Sequence, residues 1–117
     1  MVIVKETAAV KGTDLSNADE IVGVFKRVLI GPADGAPTFA VRLFTLSPGG
    51  HTPAHTHPFE HGVVVLRGRG TVLTTAGLVP IQAGSVVFVP PGDYHQFRCA
   101  GSEPLEFLCV IPVQYET

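Results

Sequence analysis

Apolar residues along this chain recur in short runs cut by glycine and proline, and none of the runs keeps a helical spacing. Residues 20–30, Glu-Ile-Val-Gly-Val-Phe-Lys-Arg-Val-Leu-Ile, are β-branched and apolar with no capping residues at either end, which predicts a strand. Gly31 to Pro37 is rich in turn formers, and Thr38 to Ser47 predicts the next strand. That strand carries Phe39, Val41, Leu43 and Thr45 on one face and Ala40, Arg42, Phe44 and Leu46 on the other. Both faces are largely apolar, as in a strand lying between a core and an interface. Further strands are expected at 63–66, 71–75, 78–82, 85–89, 94–100 and 104–113, with Pro80 demoting its strand to an edge. Upstream, residues 1–19 read as an edge or arm strand opening on Val2-Ile3-Val4, then a polar loop, an arm free to pair with a second subunit. The expected organisation is therefore an N-terminal arm and loop over 1–19 and a single all-β domain over 20–117, an antiparallel barrel or sandwich.

Composition adds three constraints. A chain of 117 residues is one domain with room for its own core. Hydrophobic residues make up 45% of it and charged residues only 15%, so a homodimer is expected, with a second copy covering part of the apolar surface. The net charge is −2 and there is no basic run, which argues against a nucleic-acid partner. No stretch reaches the roughly 20 apolar residues of a membrane span and the N-terminus lacks a signal-type core, so a cytoplasmic location is expected, with which two cysteines are compatible.

Chemistry concentrates in Gly49 to Gly68. His55 and His57 are two residues apart, so in extended chain their imidazoles point to one face and converge. Pro58 has no N–H to donate, so the chain should turn through Pro58-Phe59-Glu60 and return His61 at the head of the next strand. A fourth imidazole follows the turn Pro90-Pro91-Gly92-Asp93-Tyr94 at His95. The alternative for each histidine taken singly is a structural role. For His51, between Gly50 and Pro53, the preferred reading is a surface loop residue; for Glu60 it is a solvated carboxylate rather than a base.

At these positions the chain resembles the cupin superfamily. Gly49, His55, His57 and Gly68 fall on the marks of the first cupin motif, and Gly84, Pro90, Gly92 and His95 on those of the second. His61 stands where that motif usually has Glu, and Cys99 where Asn is usual. The run His55-Thr-His57-Pro58-Phe59-Glu60-His61 resembles a subgroup of small single-domain cupins that hold a metal with four histidines. The resemblance implies a double-stranded β-helix, the jelly-roll barrel, with one divalent transition metal on His55, His57, His61 and His95. Mn or Fe is favoured, with Cu, Ni or Zn open, because imidazole suits several of them. Four neutral ligands would leave the ion its full charge and two open positions, suited to a small chelating or anionic substrate.

By strand parity Phe97 and Cys99 should share the face of His95, while Gln96 and Arg98 face out. Phe107 and Cys109 are expected to line the pocket, since relatives place Phe-x-Cys beside the metal. Cys99 reads better as a small buried hydrophobe. Arg42 points either into the barrel, toward an anionic substrate, or to solvent. Three functions fit: a metal-dependent oxygenase, of dioxygenase type, acting on a small organic substrate; a redox-neutral isomerase or lyase using the metal as Lewis acid; or a non-catalytic binding module for a small anion or sugar. The oxygenase is preferred on the open positions and on activities that recur among cupins.

Overall fold

A thirteen-residue strand, Phe39–His51, is the axis of the barrel, because it pairs with three different neighbours along its length. In the computed structural model, which describes residues 1–18 and 20–116, nine strands are seen: β1 Gly12–Asp14, β2 Val22–Ile30, β3 Phe39–His51, β4 His61–Arg67, β5 Arg69–Thr74, β6 Gly77–Gln82, β7 Val86–Val89, β8 Gln96–Cys99 and β9 Leu105–Pro112. Asp19 and Thr117, which the expected arm and barrel ranges include, lie outside the described residues. All pairings are antiparallel, in the order β6-β5-β8-β3-β9-β4-β7, with β2 on the other side of β3 and β1 beyond it. The sheet curls because β3 pairs with β2 and β9 over its length and then, at His51, reaches Arg98 of β8. Curling closes one apolar face on itself, which is the jelly-roll barrel.

Alternation decides what goes inside. Val24 on β2, Ala40 and Leu46 on β3, Val63 and Val65 on β4, and Leu105, Phe107 and Ile111 on β9 are all buried and form one cluster. Phe107 lies between Phe44 and Phe97, with ring centroids 5.4 and 4.8 Å away, so three strands share an aromatic spine. Pro80 sits in β6, an outer strand, where a missing N–H breaks no inner ladder. Gly68 links β4 to β5 at φ +83°, and a Cβ there would run into the carbonyl of Pro104, so two separate constraints require glycine.

Two local expectations change. Val2, Ile3 and Val4 are exposed and form no strand. The strand of this region is instead β1, a polar Gly-Thr-Asp, paired through Gly12↔Arg27 and Asp14↔Phe25. Contacts decide this rather than hydrophobicity: the Phe25 ring packs on the bare Cα of Gly12, and Arg27 Nε donates to the Val10 carbonyl at 3.0 Å. The strand expected to end at Ser47 also runs on to His51, which delivers the chain directly to the histidine loop.

Leu46 is fully buried at 0% exposure and does not line the cavity of the barrel. Leu46→Ala should lower the unfolding free energy by about 2–5 kcal/mol, measured by denaturant titration.

Candidate metal centre

After β3 the chain crosses the mouth of the barrel, and its backbone is stitched to the loop before β8. Thr52 N–H donates to the Phe97 carbonyl at 3.0 Å, and His55 and His95 exchange both of their backbone hydrogen bonds at 3.1 Å. Gly92 N–H donates to the His57 carbonyl at 2.7 Å. Residues paired directly across an antiparallel bridge project to the same side, which places the imidazoles of His55 and His95 together, and His57 joins them by the two-residue alternation. Pro58 ends that run, and His61 opens β4 opposite Val89.

The result is a nest of imidazoles. The ligand-capable atoms of His55, His57 and His95 lie within 4.8 Å of one another, and His55 Nε2 is 2.8 Å from His57 Nε2. His61 is not in that set of three. Its ring nevertheless sits 5.1 Å from that of His57 and 5.0 Å from that of His95. His95 Nδ1–H donates to the Asp93 carbonyl at 2.9 Å, which leaves its Nε2 as a lone pair facing inward. His61 Nδ1 lies 3.4 Å from Cys109 Sγ, while its Nε2 is buried with no hydrogen-bond partner among the described residues.

These observations fit a metal ion. A buried, unpartnered ring nitrogen costs about 1–3 kcal/mol unless something fills its lone pair. Burial, reinforced by the neighbouring imidazoles, pushes His55 down to about 4 from 6.5; burial, with the imidazoles and Arg42, pushes His61 down to about 3. Burial also lowers His57. Those three rings are thus held neutral at pH 7, the form that donates to a metal.

Beneath the imidazoles lies a cavity of about 260 Å³, lined by Phe44, Phe59, Phe97, Phe107 and Tyr115 among others. Phe107 and Cys109 line it, and burial pushes the Cys109 thiol up against the pull of Arg42. Arg42 is buried and lines the cavity. Cys99 is buried away from the cavity and donates to the Glu103 carbonyl at 3.2 Å. Glu60 is exposed, as expected of a solvated carboxylate. His51 is outside the imidazole nest; it is half-buried at the end of β3, 3.2 Å from the Gln96 amide nitrogen. Gln96, expected to face out, is buried instead, because its amide also donates to the Thr52 carbonyl at 2.9 Å and so braces the histidine loop. Lys26, Phe59 and Tyr115 were not singled out from the sequence. Parity with Val24 would have placed Lys26 inward; nothing local marks Tyr115, whose ring stacks on Phe59 at 4.1 Å, as Phe59 stacks on His57 at 4.7 Å.

Since the folded values of His55 and His61 lie below the ordinary 6.5, the unfolded chain takes up protons that the folded chain refuses as pH falls. Stability of the metal-stripped protein should be full above pH 6.5 and fall progressively toward about pH 4 for His55 and about pH 3 for His61. Unfolding midpoints measured from pH 7.5 to 4 should decline less steeply in a His55→Gln/His61→Gln variant; equal slopes would contradict the assignment of neutral buried rings.

Comparison with known proteins agrees with this architecture. The chain is 35% identical over 74 residues to 1-methylthio-D-xylulose 5-phosphate methylsulfurylase of Rhodospirillum rubrum, covering 63% of this chain and 47% of that protein. It is 38% identical over 74 residues to the oxalate-binding protein of Thermotoga maritima, covering 60% and 61%. The chain thus spans about half the length of the curated relatives it matches. Among solved structures, the polyketide cyclase RemF from Streptomyces resistomycificus superimposes with a TM-score of 0.88 at 29% identity, over 97% of this chain and 80% of that one. Residues 42–111, from Arg42 at the cavity wall to Ile111 on β9, match the cupin domain family, and the chain belongs to it.

Proposed function

We propose that the barrel holds one divalent transition metal through His55, His57, His61 and His95, and that it is a metal-dependent oxygenase for a small organic substrate. The observation that carries the ligand set is the buried, unpartnered Nε2 of His61 beside the cluster of three. When bound, the ion would supply Lewis acidity and, as Mn or Fe, one-electron chemistry with dioxygen as co-substrate. The chain's own contribution is to hold neutral ligands, to exclude water with Phe44, Phe97 and Phe107, and to cover one side of the cavity with Phe59 and Tyr115. Among the described residues no carboxylate lines the cavity, which counts against an isomerase or lyase that needs a protein base. The same fact supports a second reading, non-catalytic binding of a small anion, and the Thermotoga relative is named for binding oxalate.

His57→Ala and His95→Ala should each lose most of the metal while keeping the strand signal in circular dichroism. Full occupancy by elemental analysis would contradict the ligand set. Iron- or manganese-loaded protein offered a series of small organic acids should consume oxygen, and His95→Ala should not. Saturable binding of those acids at full metal occupancy, with no uptake, would establish the second reading instead.

We further propose that the protein works as a homodimer in the cytoplasm. The outer face of β4, β7 and β9 presents Val64, Leu66, Val86, Phe88 and Val110 side by side, with Val86 76% and Phe88 66% exposed on an edge strand. A second copy is the occupant that a sparsely charged chain supplies by itself. For location, among the described residues no helix is long and apolar enough to cross a membrane, and Cys99 and Cys109 are free thiols. Sedimentation velocity at micromolar concentration should show a dimer for the wild type and a monomer for Phe88→Glu; a wild-type monomer would contradict the proposal.

A further inference from the structure

On the inner wall of the barrel, apart from the imidazoles, two cations share one carboxylate. Lys26 projects inward from β2 and Arg42 from β3, with side chains only 16% and 10% exposed. Glu116, just beyond the short turn Val113–Tyr115, bridges them: Oε2 is 2.8 Å from Lys26 Nζ and Oε1 is 3.3 Å from Arg42 NH1. Among the described residues the group therefore keeps one uncompensated positive charge in an apolar interior, where an unpaired charge is disfavoured.

Donor bonds are also left over. Of the five N–H groups of Arg42, Nε points to the Cys109 carbonyl at 3.3 Å, one on NH1 to Glu116, and one on NH2 to Cys109 Sγ at 3.1 Å. Two remain without a partner among the described residues, and Lys26 has two beyond the one that Glu116 accepts. Arg42 and Lys26 line the cavity; Glu116 does not, so it holds the cations from behind and leaves their open side toward the cavity.

We propose that Arg42 and Lys26 form an anion subsite that takes the carboxylate of a small organic acid, with Glu116 as the positioning residue. The choice of a carboxylate follows from the pair already holding one, oxygen by oxygen, in Glu116. Cys109 Sγ lies between Arg42 NH2 and His61 Nδ1, at 3.1 and 3.4 Å, so one sulfur atom separates the subsite from the imidazoles. An acid with a second oxygen group would then reach from the cations to the histidine end. That last step rests on the metal reading above; the subsite itself does not.

The test uses the full chain stripped of metal by a chelator, with malonate and, separately, inorganic phosphate titrated by calorimetry. Malonate should bind to the stripped wild type, and more tightly than phosphate. Lys26→Met should weaken it about tenfold or more. Glu116→Gln, which keeps an acceptor but raises the group's charge by one, should strengthen it by a similar factor. Opposite effects of the two variants are the signature, since a purely structural trio would lower the unfolding midpoint in both without splitting malonate affinity. Unchanged affinity in both variants, or phosphate preferred over malonate, would overturn the proposal. If Glu116→Gln does not fold, the Lys26→Met comparison decides alone. Failure of the metal reading would appear separately, as absence of metal in the purified protein, and would leave these titrations standing.

Discussion

Two backbone hydrogen bonds between His55 and His95, each 3.1 Å long, hold together the loops that carry the histidines. Loops at the mouth of a barrel are ordinarily mobile, and convergent side chains on mobile loops would lose their geometry. Here the exchange of both bonds makes a short antiparallel pair outside the regular strands. Thr52 hydrogen-bonded to Phe97, and the Gln96 amide on the Thr52 carbonyl, continue that pairing inward to β8. The imidazoles are thus presented by what is in effect an extension of the sheet, although several of them lie outside the named strands.

The electrostatics follow from where that extension points. Burial of His55, His57 and His61 over an interior of Phe44, Phe97 and Phe107 disfavours their charged forms, and Arg42 below adds repulsion of the same sign on His57 and His61. A carboxylate at position 61 would have offset part of this; the histidine found there does not. The chain therefore keeps a buried pair of cations with only one carboxylate between them among the described residues, and a metal on the proposed all-imidazole set would add its full charge to theirs. An interior of that kind favours anionic occupants, whichever chemistry follows.

Much of this was legible from residue order. Alternation put Ala40, Arg42, Phe44 and Leu46 on one face without saying which way it turned, Pro80 marked an outer strand, and Pro58 marked the turn that returns His61 at the head of β4. What stayed hidden depends on contacts distant in sequence. Gln96 has the parity of an outward residue, yet hydrogen bonds to the loop at Thr52 bury it. Val2 to Val4 have strand propensity but no neighbouring edge claims them, whereas polar Gly12–Asp14 pairs because Phe25 packs over Gly12 and Arg27 bonds to Val10. Glu116 carries no local signal at all; its role arises from meeting Arg42 and Lys26, which lie on β3 and β2. Conversely His55 and His57 were readable as a pair because alternation is a local rule, while His95 was joined to them through the motif spacing of the family resemblance.

The central claim, that His61 completes a four-imidazole ligand set, is tested most directly by counting ligands. X-ray absorption and pulsed electron paramagnetic resonance on the manganese- or copper-loaded protein resolve the number of coordinated imidazoles. The account predicts four in the wild type and three in His61→Ala. Three in both proteins would contradict it and would confine the metal to His55, His57 and His95.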